Sequence, residues 1–427
     1  MTRFHTDALS RRQLLGAGAA LGALGLAACA TPGGPSIGRV VVVGGGYGGA
    51  TAARYLRLWG GNVDVTLVER NASFVSCPIS NLVLAGAKRI EDVTRGYEGL
   101  RAAGVKVVQG EVTAVDAAGK KVRLAGGGEL AYDRLIVAPG IDFMWEQVGG
   151  LQAAVDSGRI THSWKAGPQT VALRRQLEAM PDGGVYALCI PLAPYRCPPG
   201  PYERACMVAA YFKQSKPKSK VLVLDANPDI TSKAGLFRKA WADHYKDIVE
   251  YRGNAALKSV DGLTAKLEFE DVKASVLNVV PSQRAGDLAR TAGLVNMNNR
   301  WVGVNWLTME STAVPGVHVI GDATFSAPAM PKSGHMANQH AKVAAAAVIA
   351  LLKGEPVNQT PVVMNTCYSF VTTRDVVHVA SVHQYDSADK TFKTVPGSGG
   401  LSAAANQVEG RYALSWADNI WADALAG

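Results

Sequence analysis

The run RVVVVGGGYGGATAARYLR, residues 39–57, restricts the possible folds of this chain more than any other stretch. Four successive valines predict a strand buried on both faces, and the Ala-rich segment after the glycines predicts a helix. Between them Gly44, Gly46 and Gly49 give G-x-G-x-x-G. Glycines at that spacing permit a tight turn, close approach of backbone to a pyrophosphate, and close packing of helix on strand. VDVTLVE follows as a second strand ending in Glu69, 20 residues past Gly49, where an acidic side chain binds a ribose hydroxyl. The order strand, turn, helix, strand, acid predicts a dinucleotide-binding α/β unit and disfavours a mobile glycine-rich loop.

At 427 residues, 48% hydrophobic and 19% charged, the chain has material for two or three domains and is no disordered polypeptide. Two units of its +9 charge come from the first 28 residues, and the remainder favours acidic partners mildly. Basic and aromatic residues do not interleave as on a nucleic-acid surface, and KQSKPKSK (213–220) reads as a solvated loop before a strand. SRRQLL (10–15), with a Gly/Ala-rich apolar run to Ala28, resembles a twin-arginine export signal within residues 1–30, which places the mature protein in the periplasm. That run is short of the ~20 apolar residues of a membrane span. Ala28-Cys29-Ala30 fits a cleavage site, and Leu26-Ala27-Ala28-Cys29 fits a lipobox that would place a lipid on Cys29. Either way five cysteines remain for an oxidising compartment.

YDRLIVAPG (132–140) and GVHVIGDA (316–323) read as further strands, each ending in a small-residue turn. With the glycine motif they resemble the flavoproteins built from two dinucleotide-binding domains. That resemblance implies FAD, with the pyrophosphate on the first motif and the ribityl-phosphate region at Gly321 and Asp322. It also implies a discontinuous FAD domain, residues 37–150 and 281–354, whose last helix is capped at Gly354. Residues 151–280 form a second α/β, Rossmann-like region, but its turn reads IPLAPYRCPP. Prolines and bulky side chains cannot give the backbone approach a pyrophosphate needs, so no nicotinamide nucleotide is expected there. Residues 355–427 suggest an α+β interface domain.

Cys77, in SFVSCPISN, has no second cysteine four or five residues on. Cys197 stands just before Pro-Pro-Gly-Pro and a helix starting near Tyr202, where the helix dipole lowers a thiol pKa. Cys367, in NTCYSFV, is isolated in sequence. A bridge between Cys197 and Cys367 would be either a staple or a redox centre. Cys189 and Cys206 read as buried small hydrophobes, with a local mutual bridge as the alternative. No metal site is expected.

SFVSCPISN, WKAGPQTVALRRQLEAM, YRCPPGPYERA, MPKSGHMANQHAKVAAAAVIALLKGE and NTCYS together resemble the flavoprotein subunits of flavocytochrome c sulfide dehydrogenases. The resemblance implies an 8α-S-cysteinyl bond from Cys77 to FAD, a redox disulfide between Cys197 and Cys367, sulfide as substrate, and a cytochrome c subunit or soluble cytochrome as partner. This chain has no C-x-x-C-H haem motif of its own. Lys332 and the helix start near Gly334 are candidate positive groups for the reduced flavin, and Glu203 is a candidate proton relay. Cys189, Cys206 and a shortened stretch at 240–262 depart from the family pattern. Two other functions compete: a sulfide:quinone oxidoreductase, and an accessory protein acting on a sulfur carrier. Acidic Asp418 and Asp423 in the tail, with Leu414, Ile420, Trp421 and Leu425 spaced for a core, disfavour a tail on an anionic membrane.

Overall fold

In the computed structural model, which describes residues 35–427, the valine run is β1 (Arg39–Val43), and Val40 to Val43 are all buried. The twin-arginine pattern and Cys29 lie outside the described residues. α1 (Tyr47–Gly60) leaves the glycine turn, and β2 (Asp64–Glu69) pairs parallel to β1. After the short α2 (Asn81–Ala85), β3 (Lys106–Gln109) adds to β2, and β4 (Arg134–Val137) adds to the other edge of β1. Parallel strands are covered on both faces, which is why these read as unbroken apolar runs rather than alternating ones.

β5 (Ile141–Phe143) leads out of this sheet to a second one. Its strands β6 (Val185–Ile190), β7 (Lys220–Asp225), β8 (Val249–Arg252) and β9 (Val276–Val279) are all parallel, in the order β8-β7-β6-β9. α3 (Gly200–Ser215) connects β6 to β7, and α4 (Ala234–His244) connects β7 to β8. β10 (Gln283–Ala285) returns antiparallel to β5. The chain then re-enters the first sheet through β11 (Val304–Asn305), β12 (Glu310–Ser311) and β13 (Val317–Val319), completing the order β11-β12-β13-β4-β1-β2-β3.

α5 (Gly334–Lys353) starts at Ser333, whose hydroxyl accepts from Met336 N at 3.0 Å, and stops at Gly354 in the left-handed region. It packs along α1 because both present small residues: Ala50 and Ala53 on one, Ala337, Ala341, Ala344 and Ala345 on the other, all buried. Asn338 Nδ2 donates across that seam to Thr51 Oγ1 at 3.0 Å. The last region is an antiparallel sheet, β14 (Val362–Phe370), β15 (Val376–Asp386), β16 (Thr391–Thr394) and β17 (Gly400–Leu401), followed by α6 (Gln407–Leu425). Ile420, Trp421 and Leu425 of α6 are buried, whereas Leu414, expected beside them, is 37% exposed. Asp423 explains the acidic tail differently: it accepts from Asn338 and pairs with Lys342 at 2.9 Å, so it ties α6 to α5.

Candidate active site

The three glycines of the first turn differ in what surrounds them. A Cβ on Gly49 would lie 1.7 Å from Gly44 O, and Gly44, at φ 97°, backs onto Ala138 O. A Cβ on Gly46 would meet nothing within 4 Å. The turn is thus closed against its own strands and open outward at the helix N-terminus, the shape that admits a pyrophosphate. Glu69 lies beside it at the end of β2, accepting from Gly45 N at 2.6 Å and from Asn71 N at 2.8 Å. Asp322, just past β13, keeps its Oδ1 shut off from solvent with no hydrogen-bond partner among the described residues, and burial raises its pKa. An unpaired buried carboxylate oxygen is costly, and a ribityl hydroxyl is the kind of donor that would satisfy it. These residues fit FAD.

Cys77 sits on the loop between β2 and α2, and the loop is held in an unusual shape. Ile79 has φ 73°, outlying for a β-branched residue and costing on the order of 1 kcal/mol or more. Hydrogen bonds hold it there: Ser80 Oγ and N both donate to Cys77 O, and Ser76 Oγ donates to Pro78 O at 2.7 Å. Tyr47 OH pairs with Ser76 Oγ at 2.7 Å and accepts from Trp421 Nε1 at 3.0 Å, so α1, this loop and α6 meet at one point. Arg196 Nη2 lies 3.3 Å from the Cys77 sulfur and also donates to Trp164 O.

Cys197 reaches the same place from the second region. Its φ is 55°, again left-handed for a non-glycine, fixed by its N donating to Lys332 O at 2.7 Å and its carbonyl accepting from Gly200 N at 2.8 Å. Cys367 enters on β14, with Asn365 Nδ2 3.3 Å from its sulfur. Cys367 is the strongest charged influence on Cys197, with Glu203, Lys233 and Cys77 after it, so three cysteines far apart in sequence share one cluster. All five described cysteines are free thiols here. Cys77, Cys197 and Cys367 keep partial exposure, whereas Cys189 and Cys206 are fully buried. Cys189 packs in the core on one side of β6 and Cys206 on the other, so nothing brings them together. Burial pushes the Cys189 thiol up to about 12 and Cys206 up as well.

The lowered Cys197 pKa expected from the helix start is not what the surroundings give. Burial raises it, with Cys367 and Glu203 adding to the effect. The magnitudes explain why: a helix terminus contributes roughly 0.3–1 kcal/mol, while desolvation of a thiolate shifts a pKa by up to several units.

Glu203, 7% exposed on the first turn of α3, accepts from Phe370 N and from Asn81 Nδ2, both at 3.0 Å, and burial raises its pKa. It thereby joins α3 to β14 and α2. Lys332 is 6% exposed rather than a surface lysine; its ammonium donates to the carbonyls of Asp322 and Thr324 and lies 3.8 Å from the Trp301 ring centroid. Burial lowers its pKa to about 7.

Sequence reasoning missed Asn81, Trp164, Arg196, Arg204 and Lys233. Arg204 Nη1 donates to His162 O and Asn278 Oδ1 at 3.0 and 2.9 Å, while Nε reaches Asn81 Oδ1 at 3.3 Å. Asn81 thus bridges Arg204 and Glu203. Asn81 lies within SFVSCPISN, Trp164 opens WKAGPQTVALRRQLEAM, Arg196 adjoins Cys197 and Arg204 adjoins Glu203, so those four were visible as neighbours of named residues; nothing local marks Lys233.

Residues 170–281 match the family model described as sulfide dehydrogenase [flavocytochrome c] flavoprotein chain, central, and residues 359–425 match flavocytochrome c sulphide dehydrogenase, flavin-binding. A sulfide dehydrogenase [flavocytochrome c] flavoprotein chain from Chlorobaculum thiosulfatiphilum is 60% identical over 45 residues, 10% of this chain and 94% of that sequence. The chain belongs to the flavocytochrome c sulfide dehydrogenase flavoprotein family. As in any such flavoprotein chain, FAD is the cofactor, and residues 38–167 match the pyridine nucleotide-disulphide oxidoreductase model. The description of the 359–425 match as flavin-binding was not anticipated for the C-terminal region.

This family member also resembles sulfide:quinone oxidoreductases. The mitochondrial one of Mus musculus is 26% identical over 302 residues, 67% of this chain and 65% of that protein. The Dictyostelium discoideum one is likewise matched over 65% of its length, so the chain aligns with just under two thirds of these curated relatives. The Aquifex aeolicus sulfide:quinone oxidoreductase structure superposes with a TM-score of 0.73 at 18% identity, covering 90% of this chain and 91% of that one, which establishes the shared fold.

Proposed function

We propose that this protein oxidises sulfide through a Cys197–Cys367 disulfide, with FAD held by Cys77 and electrons passed to a cytochrome c. The observation that carries the reading is the convergence of Cys77, Cys197, Cys367 and Glu203 on one cluster at the turn after β6. Hydrosulfide attacks one sulfur of the disulfide; a new S–S bond forms as the old one breaks, leaving a persulfide on one cysteine and a thiolate on the other. A second hydrosulfide removes the outer sulfur as HS₂⁻ and restores that cysteine as a thiol. FAD, when bound, supplies the acceptor for the two electrons released as the pair closes again. Glu203 takes the proton, its carboxyl held above the ordinary carboxylate range by burial. Arg196, 3.3 Å from the Cys77 sulfur, would hold that thiol for a thioether to FAD, and Lys332 and the α5 start would be the positive groups nearest Asp322 on the FAD side.

Export in the folded state through the twin-arginine pattern fits a preloaded cofactor. A quinone acceptor is the second reading, favoured by the likeness to sulfide:quinone oxidoreductases. No helix among the described residues is long and apolar enough to cross a membrane. Purified holoprotein supplied with sulfide should reduce cytochrome c, and Cys197→Ser should lose that activity by about 10³-fold or more. Unchanged turnover in Cys197→Ser would overturn the disulfide route, and turnover with a soluble quinone alone would assign the acceptor to the second reading.

A further inference from the structure

Lys233 is a buried cation that the cofactor side of the site does not account for. It stands just before α4 at φ 56° and is 5% exposed. Its ammonium crosses to the C-terminal sheet, donating to Cys367 O at 2.9 Å, Ser369 Oγ at 2.8 Å and Val377 O at 3.3 Å. All three acceptors are neutral. An ammonium buried among neutral acceptors is expensive unless an opposite charge lies near it. The titratable groups facing it are Cys367 on β14, Cys197 on the turn, Glu203 on α3 and Glu409 on α6. Glu409 is already engaged by His378 Nδ1 at 2.8 Å and Ser402 Oγ at 2.6 Å, and Glu203 by Phe370 N and Asn81. The thiol pair is the place where negative charge is made and unmade.

We propose that Lys233 is the positioning residue that keeps the charge of the reduced pair on Cys367, leaving Cys197 as the thiol. The proposal rests on the reading of Cys197 and Cys367 as a redox pair. Opening the disulfide with two electrons and one proton gives one thiol and one thiolate; closing it releases that proton to Glu203 and passes both electrons to the acceptor. Burial raises both thiols and Lys233 opposes it at both, but at Cys367 Lys233 is the largest influence after burial, joined by the Asn365 hydrogen bond, whereas at Cys197 the raising effects of Cys367 and Glu203 outrank it. Burial in turn lowers Lys233 itself to about 8, so a counter-charge also stabilises its protonated form.

The test is the rate at which iodoacetamide alkylates each cysteine of the dithiothreitol-reduced holoprotein across pH, resolved by peptide mass spectrometry, since the thiolate is the reacting form. Cys367 should react faster than Cys197 near neutrality. Lys233→Met should slow Cys367 about 10-fold and move its profile up by about one pH unit, with Lys233→Arg restoring it to within a few-fold. An unmoved Cys367 profile in Lys233→Met, or faster alkylation of Cys197 than of Cys367 in the unaltered protein, would overturn the proposal. If Lys233→Met exposes Cys189 and Cys206 to the reagent, it has lost its fold, and the order of reaction in the unaltered protein decides. Alkylation of both thiols without reductant would sink the redox pair itself, a result distinct from any change with Lys233.

Discussion

The turns after β1 and after β6 start from the same strand-to-helix frame and end in opposite chemistry. After β1, Gly44 and Gly49 close the turn against its own backbone and Gly46 leaves it open outward. After β6, Pro198 and Pro199 precede α3, and the turn carries Cys197, at φ 55°, under the electrostatic influence of Cys367 and Cys77. Gly200 survives at the second turn for another reason: a Cβ there would lie 2.9 Å from both the Cys197 sulfur and the Trp164 ring. One parallel α/β unit leaves its helix N-terminus open outward and its sister presents a thiol, and the difference lies in a handful of residues at the carboxyl end of one strand.

The largest effect that could break this comparison is at Gly49. Gly49→Val forces side-chain atoms onto Gly44 O and should leave little soluble flavoprotein, whereas Gly46→Ala should fold and yet lower the flavin-to-protein ratio, read from absorbance. A Gly46→Ala protein with full flavin would remove the phosphate role from the first turn. A middle effect sharpens the second turn: Glu203→Gln should cost about 10²-fold in kcat with sulfide and erase the acid limb of its pH profile. A loss of stability without that change in profile would leave Glu203 only as the tie between α3, α2 and β14.

The smallest effect concerns the histidines under each unit. Gly321 N donates to His340 Nδ1 at 3.3 Å on the FAD side, and Trp164 N donates to His162 Nδ1 at 3.0 Å beside the second turn. Burial lowers both to about 3 from 6.5. Between those values the unfolded chain binds a proton that the native one refuses, so stability is full above about pH 6.5 and falls as pH drops toward the folded value. Each histidine contributes up to about 1.4 kcal/mol per pH unit across that window. Urea unfolding of His340→Gln against the unaltered protein should show the variant's deficit shrinking as pH falls from neutral to about 5. A deficit independent of pH would mean that His340 is not held neutral.

The sheet strands and the FAD turn were legible because burial on both faces and the glycine spacing are local signals: β1, β2 and the Gly354 cap follow from their own residues. The absence of a second fingerprint was legible for the same reason. What the sequence hid depends on tertiary contact. Lys233 lies 134 residues from Cys367, whose carbonyl it holds, and Asn81 lies 122 from Glu203. The sign of the Cys197 shift was also hidden, because the dipole is readable from a helix start while burial is set by elements arriving from three other parts of the chain. Leu414 was misplaced because apolar spacing alone does not say which turn of α6 meets α1.

On the proposed function, the second unit holds a thiol platform at the turn where its sister holds a nucleotide cradle. Anaerobic addition of hydrosulfide, and separately of NADH and NADPH, to the purified holoprotein tests it through the flavin absorbance. Hydrosulfide should bleach the flavin rapidly and neither nicotinamide nucleotide should; bleaching by a nicotinamide nucleotide, or none by hydrosulfide, would overturn the thiol platform.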